Sequence, residues 1–124
     1  MAARALKVAT QRVIDATSNE MHELADESAE LSAAYLRGAV PFKLAMSVCT
    51  RFKVHRLAHK HLIQIRRGQC VDTGRLRRLM AIHVAQIERM GSRDVECNRT
   101  YFAEMLAAID ANNESLARLQ RTKQ

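Results

Sequence analysis

Residues that interrupt helices fall at only three places in this sequence, and that spacing limits the fold more than any other feature. All four glycines and the single proline lie there: Gly38 with Pro41, Gly68 with Gly74, and Gly91. Between them run long stretches rich in Ala, Leu, Arg, Glu and Met, residues that lose little side-chain freedom in a helix. The sequence therefore predicts an all-α chain of one domain, 1–124, with four helices packed as a bundle over 2–37, 41–67, 73–90 and 93–121. No stretch reaches the roughly 18 uninterrupted apolar residues of a membrane span, and the N-terminus lacks the apolar core of a signal peptide. The three cysteines, Cys49, Cys70 and Cys97, are odd in number and unpaired in spacing, which points to a reducing, cytoplasmic setting.

Each expected helix carries its own pattern. In the first, Leu6, Val13, Met21, Leu24, Leu31 and Tyr35 gather on one side at about 100° per residue. Asp15, Glu20, Glu23, Asp26, Glu27 and Glu30 occupy the other side as a solvated acidic face. The second helix changes its apolar face midway. Phe42, Leu44, Ala45, Val48, Cys49 and Phe52 define one face in its first half; Val54, Leu57, Ala58, Leu62 and Ile65 define nearly the opposite face in its second. Such a switch is expected of a helix that leaves its own bundle for a neighbour's, so it predicts a homodimer or a subunit of an assembly. The third helix places Leu76, Leu79, Met80, His83, Ile87 and Met90 on one face, with His83 read as a core histidine. In the last, Val95, Asn98, Phe102, Met105, Ile109, Asn112, Leu116 and Leu119 follow alternating steps of three and four. That seam is expected to oligomerise through Phe102, Met105, Ile109, Asn112, Leu116 and Leu119, its asparagines setting register.

Charge is distributed far less evenly than hydrophobicity. Residues 51–78 hold nine cations against one acid, Asp72, a balance of +8 in a chain whose net charge is +7. Residues 1–50 contribute −1 and residues 79–124 contribute nothing. A local concentration of this kind is the electrostatic footprint of an anion-binding surface. Arg51, Lys53, Arg56, Lys60, Arg66, Arg67, Arg75, Arg77 and Arg78, with His59 beside them, are the candidate contacts to phosphate, Arg as a bidentate fork and Lys as a point charge.

Other chemistries find less support. His55 and His59 are four apart on one helix, a spacing able to grip a metal, but no tightly spaced thiolate or carboxylate completes the site. A di-metal carboxylate bundle needs Glu-x-x-His on separate helices, and this chain has none. The cationic stretch has no interleaved aromatics for stacking on bases, and no zinc-finger or Gly-rich phosphate loop. What remains is a non-enzymatic protein without cofactor that binds the nucleic-acid backbone independently of sequence. RNA is favoured over DNA, because the shallow minor groove of an A-form duplex suits a flat helix pair. A double-stranded-RNA-binding protein and a small helical subunit of a nucleoprotein complex both fit. The rival is an adaptor that multimerises through its last helix and docks on an acidic protein. That rival requires an exposed apolar anchor beside the cations, where the sequence offers only Ile63.

Overall fold

The computed structural model describes the backbone of residues 2–122 and the side chains from Gln11 to Thr122 except Val13. It is an all-α bundle of four helices: α1 (Ala2–Leu36), α2 (Phe42–Arg66), α3 (Gly74–Arg89) and α4 (Val95–Thr122). The interruptions read from the sequence are the turns. Gly38, Gly68 and Gly91 each have φ between +70° and +85°, where a Cβ would be strained. Each closes its helix the same way. Gly38 N–H donates to Tyr35 O and Ala39 N–H to Ala34 O, and the pairs at Gly68/Gln69 and Gly91/Ser92 repeat this. These double bonds satisfy carbonyls that a helix end otherwise leaves without partners. Asp72 shapes the entry to α3 by accepting from Gly74 N–H at 2.9 Å.

α2 is the central element and touches all three other helices. The core gathers Ile14 from α1, Val54, Ala58, Leu62 and Ile65 from α2, Leu76 and Met80 from α3, and Phe102, Met105 and Ile109 from α4. Fully burying a side chain such as Leu62, Leu76 or Ile109 contributes roughly 1.5–3 kcal/mol. Two stripes differ from the sequence reading. On α1, Ile14 and Thr17 are buried beside Leu24, whereas Tyr35 is 41% exposed and lies against Phe42. Leu6 and Val13 lie outside the described side chains.

The face switch of α2 is slight: on the first-half face read from the sequence, Ala45 alone is buried. The helix's buried stripe runs unbroken through Ser47, Thr50, Val54, Ala58, Leu62 and Ile65. The first two members are polar, so the apolar pattern hides them. Their hydroxyls bond back to Leu44 O and Met46 O at 3.0 Å, which satisfies them inside their own helix. Of the apolar residues read as the first-half core, Ala45 is buried at 6% exposure, Leu44, Val48, Cys49 and Phe52 are half-buried, and Phe42 is 52% exposed. The feature that suggested a dimer is thus accounted for within one chain.

The α4 seam is also used internally. Phe102, Met105, Ile109 and Asn112 are buried in the chain's own core, Leu116 packs against that core, and only Leu119 is exposed. This corrects the expectation of an oligomerising surface: four of its six members are covered by α1, α2 and α3. Asn98 and Asn112 donate to carbonyls four residues back, Asp94 O and Ala108 O. Among the described residues, no helix is long and apolar enough to cross a membrane.

Candidate functional site

Helix geometry sorts the ten candidate contacts by the direction each faces. Lys53, Arg56 and Lys60 recur at steps of three and four, so they share one face of α2. That face borders Arg75 and Leu79 of α3. With Leu57, these residues line an open groove of about 470 Å³ between the two helices. Arg78 stands one turn from Arg75, and Arg67 lies two turns beyond Lys60 at the C-cap of α2; both are exposed. Neither helix sets a carboxylate beside this groove. α2 contains no Asp or Glu, and the single acid of α3, Glu88, turns to Arg99 of α4.

Four candidates point elsewhere and are corrected here. Arg51 faces inward, 3.9 Å from Glu20 of α1. Arg66 donates to Gln11 of α1, and Arg77 pairs with Asp110 of α4 while its Nε donates to Thr73. His59 is half-buried on the α1 side, where burial and the neighbouring His22 lower its pKa and favour the neutral ring. Each departure has the same cause: a helix carrying cations all around its axis cannot aim them all at one surface.

His55 also leaves the cationic face. It is fully buried, its ring stacked on Tyr101 with centroids 5.6 Å apart and its Nδ1 donating to Arg51 O at 2.9 Å. That bond fixes the tautomer, so Nε2 is a buried acceptor without a partner. His83 sits opposite on α3, 3% exposed and edge-on to Phe102. Burial first, then the Arg51 charge, push its pKa down to about 4. Both rings are neutral at pH 7 and belong to the core. Among the described residues, no group of three or more His, Cys, Asp or Glu side chains is arranged to hold a metal ion.

Sequence reasoning missed the residue that holds the groove's second wall in place. Asn113 of α4 clasps the α2–α3 connection: its Oδ1 accepts from Val71 N–H at 3.0 Å and its Nδ2 donates to Val71 O at 2.8 Å. Gln120 adds a bond to Gly68 O at 2.9 Å. The only sequence signal is a pair of amides, Asn112 and Asn113, one in the seam and one just outside it. No family model matches the chain, and neither a curated protein nor a solved structure does.

Proposed function

We propose that the α2–α3 face binds the phosphate backbone of nucleic acid, RNA in preference to DNA, without reading sequence. One observation carries this reading: Lys53, Arg56, Lys60 and Arg75 converge on one groove whose two helices offer them no carboxylate partner. Unneutralised cations in a row repel one another, and a string of phosphates relieves that repulsion while releasing condensed counterions. Arg67 and Arg78 extend the row. From Lys53 to Arg67 the helix advances about 21 Å, most of a turn of duplex. The acidic residues of α1 that are exposed, among them Glu23, Asp26, Glu27 and Glu30, repel a polyanion and leave the α2–α3 face as the side that approaches it. An adaptor multimerising through α4 is less well supported, because that seam is spent on the core.

Fluorescence anisotropy with duplex RNA, duplex DNA and single strands, at about 50 and about 200 mM salt, tests the reading. Four to six phosphate contacts give a log–log salt slope of about −4 to −5 on duplex. Arg56→Glu with Lys60→Glu is expected to abolish binding, while Arg66→Glu, on the far side of α2, leaves most of it. Absence of salt-sensitive binding to every nucleic acid removes the proposal.

A further inference from the structure

The face just described continues beyond its cations. Seven large hydrophobic residues are exposed among the described residues, and four of them, Phe42, Met46, Ile82 and Met90, lie on the α2–α3 side. Phe42 and Met46 are set one turn apart on α2, and Met46 lies two turns before Lys53 on the same stripe. Ile82 on α3 stands one turn from Leu79 of the basic groove and one turn from Gln86. Phe42, Met46 and Met90, together with Lys43, Gln86 and Arg89, line a second groove of about 170 Å³ between the start of α2 and the end of α3. The α2–α3 face therefore has a basic half and an apolar half, end to end. Scattered apolar residues need no explanation, but a cluster in a groove marks an interaction surface.

We infer that the apolar half docks an amphipathic helix of another protein, one whose apolar stripe is flanked by carboxylates. Two observations favour that occupant. The groove lies between two antiparallel helices, a shape into which the side-chain ridge of a third helix packs, with anchors at i, i+4 and i+7. Its rims are cationic, with Lys43 on α2 and Arg89 on α3, and neither has an acidic partner among the described residues. A second copy of this chain meets the rims badly, because a two-fold contact of this face with itself brings two cationic rims together. Docking there leaves Lys53, Arg56, Lys60 and Arg75 uncovered, so a protein helix and a nucleic acid are able to occupy adjoining halves together. The inference stands independently of the nucleic-acid reading.

The test uses the whole chain and a labelled synthetic peptide of about 18 residues, five helical turns, with Leu at i, i+4, i+7 and i+11 and Glu on both flanks. The control peptide has the same composition in shuffled order. Anisotropy is expected to show the patterned peptide binding at least about tenfold tighter than the shuffled one. Met46→Glu with Ile82→Glu should abolish the difference, and Lys43→Glu with Arg89→Glu should weaken patterned binding about tenfold. Circular dichroism establishes that both variants retain their helices. Duplex RNA titrated onto a Met46→Ser/Ile82→Ser variant, which adds no charge beside the basic half, should bind as it does to the unaltered chain, which separates this site from the basic half. Equal binding of the two peptides, or none, overturns the inference. So does sedimentation showing a dimer that Met46→Glu/Ile82→Glu dissolves, since the occupant is then a second copy.

Discussion

The two sides of α2 treat charge in opposite ways. Toward α1, α3 and α4, Arg51, His55 and His61 are drawn into the interior beside His83, and most find a partner or a neutral form: Glu20 for Arg51, backbone Arg51 O for His55, Gln64 for His61. Toward the groove, Lys53, Arg56 and Lys60 have no acidic partner among the described residues. Burial accounts for the contrast. An ionised group in the interior costs several kcal/mol unless paired, so inward groups must pair or lose charge. Outward groups stay ionised at little cost to the fold and are available to a ligand. The inward side of α2 should therefore govern stability and the outward side binding.

That division can be broken from the inside first. Phe102 touches both buried histidines, with centroids 6.4 Å from His55 and 5.8 Å from His83. Phe102→Ala leaves a cavity and uncovers both rings, at an expected cost of about 3–5 kcal/mol, read from the urea midpoint. A cost under about 1 kcal/mol would mean that the polar cluster does not depend on this packing. Acid comes next. His83 titrates near its ordinary value of 6.5 when unfolded and at about 4 when folded, so the unfolded chain binds the proton first. The stability this neutral ring contributes is fully present above about pH 6.5 and is lost as pH falls toward 4, roughly 3 kcal/mol at 1.36 kcal/mol per unit. His55, whose pKa is also lowered by burial, adds in the same direction. Urea unfolding between pH 7 and pH 4 should show this slope, and His83→Gln should flatten part of it. An unchanged slope in that variant would assign the acid sensitivity elsewhere.

Much of the fold was legible because local rules and the bundle agree. Three glycines in left-handed conformation set the helix boundaries to within a residue or two, and the stripe read on α3 is buried at Leu76, Met80, His83 and Ile87, half-buried at Leu79 and exposed at its end, Met90. Legibility failed where polar residues are buried. Ser47, Thr50 and His55 belong to the buried stripe of α2, but periodicity counts only apolar side chains, so in the first half it found the face of Ala45 and missed the longer stripe opposite. It failed again for the charges. A sum over residues 51–78 contains no direction, and angular position divides it into Lys53, Arg56, Lys60 and Arg75 at the groove and Arg51, Arg66 and Arg77 in intramolecular contacts. For the seam of α4 the period was right and the partner wrong. Steps of three and four fit a coiled coil and the interior of a bundle alike, and only the position of α2 separates them.

The smallest expected effect is the sharpest test of the division. Replacing Lys53, Arg56 and Lys60 together by Gln removes three charges that make no side-chain hydrogen bond or ion pair among the described residues, so stability should shift by no more than about 0.5 kcal/mol. The sign should favour the variant, because like charges at i, i+3 and i, i+4 repel along a helix. Added salt screens the same repulsion over about 10 Å at 0.1 M, so salt should stabilise the unaltered chain slightly more than the variant. Urea midpoints for the two proteins at low and high salt, read beside their affinity for duplex RNA, measure both properties on the same molecules. Lost affinity with unchanged stability is the outcome that an outward binding face requires. A loss of more than about 1 kcal/mol would show instead that these cations hold α2 to α3, and the outward side would then be structural after all.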